Sequence, residues 1–202
     1  MMPVQNLIHY PAPQSDISCM PDAFSPEESA VIFEQLKTDL DWREEKIRLF
    51  GRTVPIPRLQ AWYGDAPYTY SNLVMEAQKM TPLLDSLRLR AEQLTGFSYN
   101  SALCNLYRHG RDSVSWHADD EPELGTNPAI ASLSFGADRN FQFKPKSKDS
   151  LPFNINLQAG TLLLMKGETQ HYWLHQIPKI NKPVGERICL TFRMTFPRAP
   201  QA

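Results

Sequence analysis

The chain has 202 residues with 21 Lys+Arg against 22 Asp+Glu and a formal net charge of −1, so no global field steers it to a polyanion and any nucleic-acid surface has to be a local patch. That length suits one domain with a sizeable core. No long apolar run occurs, and the opening MMPVQNLIHYPAPQ has no basic stretch followed by an apolar one, which argues against a membrane span and a secretory leader. The cysteines, Cys19, Cys104 and Cys189, are 3 in number and lack metal-type spacing. Cys104 and Cys189 sit inside apolar strand patterns and read as buried free thiols, which favours a reducing cytosol.

Residues 1–20 read as an irregular, Pro-containing tail on the surface. Ser25-Pro26-Glu27-Glu28 then starts a helix: a capping Ser, Pro at the first helical position and acids in the first turn. It should run to about Leu40, with Ile32, Phe33, Leu36 and Leu40 on the apolar side. Two strands follow around the turn Leu49-Phe50-Gly51-Arg52. Leu49 and Phe50 either fold back into the core or form an apolar wedge between Arg48 and Arg52 that unstacks base pairs. Tyr63–Tyr70 is an aromatic loop, fit for packing or for stacking on a planar ligand. A second helix is capped by Thr81, opened by Pro82 and closed by Gly96, with Leu84, Leu87, Ala91 and Leu94 as its buried stripe.

From residue 97 the pattern changes to short strands: 99–107, 130–135, 140–144, 153–157, 161–165, one near 171–176, and 187–196. The Lys144–Lys148 segment reads as a solvated basic turn. Two helices followed by many short strands indicate a mainly β sandwich or barrel with the helices on one side.

His117 and Asp119 are two residues apart on an extended backbone and so point the same way, close enough to share one metal ion. A later histidine, His171 or His175, completes a two-His-one-carboxylate face of the kind that holds non-haem Fe(II). On the last strand Arg187, Cys189, Thr191 and Arg193 share one face, and Ile188, Leu190, Phe192 and Met194 the other. Arg187 and Arg193 would be costly to bury without an anion, and the alternative is that they are solvated on an exposed sheet face. With Asn105 and Tyr107 from the 102–107 strand beside them, a dicarboxylate would satisfy the set.

NLY at 105–107, WHADDE at 116–121, IASLSFG at 130–136, His175 and RICLTFR at 187–193 together resemble the AlkB family of Fe(II)/2-oxoglutarate dioxygenases. PRLQAWYGD and YTYS resemble the branch holding the human AlkB homologues two and three. The resemblance spans about residues 21–197. It implies a double-stranded β-helix (jelly-roll) core over 97–197. It also implies a nucleotide-recognition lid built from an N-terminal α/β extension over 21–96, behind a tail at 1–20. His117, Asp119 and His175 would be the catalytic iron ligands, with His171 set aside because the ligand in the family precedes a run like Gln176-Ile177-Pro178. Asn105, Tyr107, Arg187, Thr191 and Arg193 would bind 2-oxoglutarate, Arg193 at its distal carboxylate and Arg187 nearer the chelating end. Arg58, Trp62, Tyr70, Asp120 and Glu121 would contact the substrate base, and Leu49, Phe50 and Gly51 would form the duplex wedge. The implied reaction uses Fe(II), 2-oxoglutarate and O2 to demethylate 1-methyladenine and 3-methylcytosine in alkylated DNA, single- or double-stranded; the alternatives are an RNA demethylase or another 2-oxoglutarate oxygenase, and, with a structural His/Asp set, a non-catalytic nucleic-acid-binding β-sandwich. The implied enzyme is a monomer away from membranes, cytoplasmic and nucleoid-associated in a bacterium or nuclear in a eukaryote.

Overall fold

The computed structural model describes residues 7–49, 51–70, 73–148 and 150–196, without the side chains of 48, 49, 68–70, 73 and 74. Fifteen strands, two long helices and two short helical turns follow one another along it. Strand β8 (Ser101–Tyr107) and strand β15 (Arg187–Arg193) lie side by side, antiparallel, with Asn105 opposite Cys189 and Tyr107 opposite Arg187. They sit inside a seven-stranded sheet that also holds β1 (Ile8–Tyr10), β2 (Asp16–Met20), β5 (Leu59–Gly64), β10 (Ile130–Gly136) and β13 (Thr161–Lys166), in the order β1-β2-β13-β10-β15-β8-β5. A four-stranded sheet faces it, β12-β11-β14-β9, built from β9 (Val114–His117), β11 (Arg139–Pro145), β12 (Phe153–Leu157) and β14 (Trp173–Ile177).

Alternation along each strand divides the apolar residues between two cores. One alternate set of the large sheet, with Ala102, Cys104, Leu106, Leu133, Leu190 and Phe192, packs under the helices. The other set, with Leu163, Met165 and Cys189, meets Phe141, Phe143, Ile155 and Trp173 of the small sheet. Helix α1 (Pro26–Asp39) begins with a full capping box: the Ser25 hydroxyl accepts from the Glu28 N–H while the Glu28 carboxylate accepts from the Ser25 N–H. Leu36 and Leu40 are buried, and Ile32 and Phe33 pack at the margin. Helix α2 (Pro82–Thr95) is capped by Thr81 and stops at Gly96, whose φ of 76° only glycine adopts without strain. Leu84, Leu87 and Ala91 are buried and Leu94 partly so.

Four segments differ from the sequence reading. Residues 8–10 and 16–20 are not an irregular tail; they form the edge of the large sheet, where β2 runs antiparallel to β13 from Met20–Leu162 to Asp16–Lys166. Pairing with β13 across some 145 positions creates β2, β1 then adds to β2 from within the same segment, and Pro11 and Pro13 hide the local pattern. The aromatic loop is resolved into the end of β5 and a hairpin, β6 (Tyr68–Tyr70) with β7 (Leu73–Met75). Near 171–176, a single helical turn α3 (Thr169–Tyr172) precedes β14, and the last strand ends at Arg193 rather than at residue 196. The hairpin β3 (Lys46–Leu49) with β4 (Arg52–Pro55) has the expected register, Leu49 opposite Arg52. Phe50 lies outside the described residues, as do the side chains of Leu49 and Tyr70. Among the described residues no helix is long and apolar enough to cross a membrane. All three cysteines are buried and free.

Candidate metal centre and cosubstrate pocket

The centre forms between the sheets. His117 ends β9 and His175 lies in the middle of β14, and the register sets them directly opposite each other, with ring centres 4.2 Å apart. Asp119 follows two residues after His117, its backbone N–H donating to Oε1 of Gln170 in α3 at 2.9 Å. Its two oxygens lie 3.8 Å from Nε2 of His117 and 3.8 Å from Nε2 of His175. All three residues can present a ligand atom within 4.8 Å of the others. His171 is exposed on α3 and outside this set, so the register decides between the two histidines.

Electrostatics prepare the donors. Burial lowers the His117 pKa, against the pull of Asp119. Burial, then the neighbouring His117, pushes His175 down to about 3. Both imidazoles are therefore neutral near pH 7, with lone pairs to give. The His117 Nδ1–H donates to the Ser115 carbonyl at 2.8 Å, which leaves Nε2 as the ligating atom. Burial works against ionising Asp119, yet Arg193 and the two histidines hold its carboxyl below the usual carboxylate range. Two neutral imidazoles and one carboxylate on a single face fit Fe(II).

Behind the metal face, Asn105, Tyr107, Thr191 and Arg193 line the same cavity as His117, Asp119 and His175. Asn105 Oδ1 accepts from Arg58 Nε at 2.7 Å and from Gln60 Nε2 at 3.0 Å, so its amide NH2 is the group left to donate. Arg187 is fully buried; its Nη2 donates to the Ser134 hydroxyl at 2.8 Å, while Nε and Nη1 have no hydrogen-bond partner. Unmatched donors on a buried cation are what a carboxylate would satisfy, so the pocket fits 2-oxoglutarate.

The order of the two arginines is the reverse of the expected one. Arg193 Nη2 donates to Asp119 Oδ1 at 2.9 Å, which puts Arg193 at the metal end. Arg187 lies at the other end, its Cζ 5.4 Å from the Tyr107 ring centre. Burial pushes the Tyr107 phenol up to about 12, so its hydroxyl keeps its proton for donation.

The expected substrate residues scatter. Arg58 is buried, bonded to Asn105 and to the Ser113 carbonyl at 3.1 Å, and lines the metal cavity. Trp62 packs with Met75 and Leu103, its indole N–H donating to the Ala66 carbonyl at 2.9 Å. Asp120 is exposed and pairs at 3.2 Å with Lys146. Glu121 is half-buried just before the helical turn Pro122–Leu124. The basic segment is not a plain solvated turn, because Lys144 belongs to β11 and stands 4.5 Å over the Trp116 ring. A trough of about 480 Å³ adjoins the cavity, with Ile47, Val54, Ile56 and Trp116 in its walls and Lys179 at its side. Arg58 and His117 line both spaces, so the trough borders the His117 side of the ligand face. Gln60, Gln170 and Arg139 went unread in the sequence because each acts on a residue distant in the chain. Arg139 is buried at the start of β11, over the Tyr107 ring.

Comparison with known proteins agrees with this geometry. The family model described as "2OG-Fe(II) oxygenase superfamily" matches residues 16–193. The alpha-ketoglutarate-dependent dioxygenase alkB homolog 3 of Bos taurus is 44% identical over 91% of this chain and 67% of its own length. The human protein of that name is 43% identical over 93% of this chain and 68% of its own. The human DNA oxidative demethylase ALKBH2 is 35% identical over 84% of this chain and 70% of its own. The chain thus spans about two thirds of the length of these relatives. The solved structure of OsALKBH1 has the same fold, with a TM-score of 0.64 at 13% identity over 94% of this chain and 100% of that one. The chain belongs to the 2OG-Fe(II) oxygenase superfamily, as an AlkB-family dioxygenase that uses Fe(II), 2-oxoglutarate and O2.

Proposed function

We propose that the protein removes N-alkyl groups from nucleobases in DNA, with 1-methyladenine and 3-methylcytosine as substrates. The observation that carries this reading is the His117–Asp119–His175 face bordering, through His117 and Arg58, a trough of about 480 Å³ with Ile47, Val54, Ile56 and Trp116 in its walls. The relatives named as a DNA oxidative demethylase and as alkB homologues supply the substrate class. Bound iron and 2-oxoglutarate would supply the oxidation with O2, one oxygen atom going into succinate as 2-oxoglutarate loses CO2 and the other hydroxylating the alkyl carbon, which leaves as formaldehyde. The chain's own part is positioning and dryness. His117, Asp119 and His175 hold the metal. Asn105, Tyr107, Thr191, Arg187 and Arg193 hold the cosubstrate, with Arg187 at the distal carboxylate. Arg58 fixes the Asn105 amide from the substrate side. The base has to leave its stack to reach the face, which is the work we assign to residues 21–96 as a lid on the 97–197 core, including a wedge at Leu49-Phe50-Gly51 and a wall at Tyr70.

The test is formaldehyde and succinate formation with a 1-methyladenine oligonucleotide. Turnover should require Fe(II) and 2-oxoglutarate and vanish in His117→Ala; undiminished turnover in that variant refutes the assignment. Phe50→Ala should lower activity on duplex more than on single strands, and equal losses remove the wedge. Alkylated RNA in competition decides between the nucleic acids. A DNA substrate places the enzyme with the genome, at the nucleoid or in the nucleus, and one substrate groove per chain needs only a monomer.

A further inference from the structure

We propose that Arg139 is a positioning residue for the cosubstrate, supplying beside Arg187 the second positive charge at the Tyr107 end of the pocket. This rests on the 2-oxoglutarate reading above and extends it to a residue outside the motifs of the family resemblance. Arg139 and Arg187 come from opposite sheets, β11 and β15, and both stand over one ring, with Cζ at 5.6 Å and 5.4 Å from the Tyr107 centre. Both are buried. Their hydrogen bonds are to neutral oxygens: Arg139 Nη2 donates to the carbonyls of Asp112 at 2.9 Å and Pro178 at 2.6 Å, and Arg187 donates to the Ser134 hydroxyl. Among the described residues no carboxylate is recorded as hydrogen-bonded to either guanidinium. Two like charges brought together in a dry interior repel each other, and a bound anion turns that cost into attraction.

The two carbonyls also give Arg139 a fixed place. Asp112 lies two residues before β9, which carries His117, and Pro178 directly follows β14, which carries His175. One nitrogen thus ties the far ends of both metal-ligand strands and holds its charge over Tyr107. Arg139→Gln keeps an N–H donor for a carbonyl and removes the charge; Arg139→Lys keeps the charge and loses the planar fork.

The experiment is calorimetric titration of Zn(II)-loaded wild type, Arg139→Gln and Arg139→Lys with 2-oxoglutarate, alongside Zn(II) titration of the metal-free proteins. Removing one unit charge from the neighbourhood of a bound carboxylate, at an effective dielectric of about 20, costs on the order of tenfold in binding. Arg139→Gln should therefore bind 2-oxoglutarate about tenfold more weakly, with unchanged Zn(II) affinity. In turnover its KM for 2-oxoglutarate should rise while kcat at saturation holds. Arg139→Lys should stay within about threefold of wild type, because it keeps the charge. The proposal is overturned by an unchanged 2-oxoglutarate Kd in Arg139→Gln, by equal losses in both variants, or by Zn(II) affinity falling in step with 2-oxoglutarate affinity. Wild type that binds no 2-oxoglutarate would instead sink the cosubstrate reading itself.

Discussion

Asp119→Asn separates the two tasks of the central carboxylate. Asp119 faces Arg193 at 2.9 Å with both side chains 3% exposed, and it lies 3.8 Å from each ligating imidazole nitrogen. The amide keeps the shape and an acceptor oxygen but takes the negative charge out of a buried pair. Breaking a buried pair by removing one partner costs about 3–5 kcal/mol, and the surviving acceptor argues for the lower end, about 3 kcal/mol. For a chain of this size each kcal/mol moves Tm by roughly 2–4 °C, so the metal-free variant should melt about 6–12 °C lower. Its metal site loses its only anionic donor, which should weaken Zn(II) by at least about 100-fold. Wild type at 100 times its Kd for Zn(II) gains about 2.7 kcal/mol, and the variant should gain almost none at the same concentration. The assay is a pair of thermal melts, with and without Zn(II), for each protein. Metal-free melting of Asp119→Asn within 2 °C of wild type, or the same Zn(II)-induced rise in both, would refute the argument.

Asp112 accepts from Arg108 at the backbone N–H (2.9 Å), Nε (2.8 Å) and Nη2 (3.1 Å) while its side chain is almost fully buried. Burial alone would raise its carboxyl, but Arg108 holds it below 3.8, so its contribution is present above that value and is lost as pH falls through the folded one. Asp112→Asn should cost about 2–3 kcal/mol at pH 7 in urea unfolding, shrinking toward pH 3; a difference that grows on acidification contradicts the sign. Asn105→Asp keeps the acceptor that Arg58 and Gln60 use but removes the amide donor and adds a negative charge, so 2-oxoglutarate binding should weaken more than about tenfold with Tm preserved; a Kd within twofold ends that role. Leu84→Ala, at a fully buried position on α2, should cost about 2–5 kcal/mol without changing kcat, and a loss below about 1 kcal/mol would show that the helix is not held by that contact.

Where the physics is local, the sequence alone determined the outcome. Ser25 and Thr81 cap their helices and Gly96 closes the second, because each cap is a bond or a φ angle within a few residues. His117 and Asp119 share a side because an extended chain repeats every two residues, and alternation on β15 already separated the arginine face from the apolar one. Tertiary structure decided what depends on partners far away in the chain. The register of β9 against β14, and not spacing, put His175 instead of His171 opposite His117. The β8–β15 pairing and the reach of Asp119 set Arg193 at the metal and Arg187 by Tyr107. Residues 16–20 became a strand by adding to β13, and residues 8–10 by adding to 17–19. Gln60 and Arg139 gained their places from a neighbouring strand and from the opposite sheet. A side chain's type and its side of the strand are written in its neighbours, but which buried charge it meets is set by strand register, and that is a property of the whole fold.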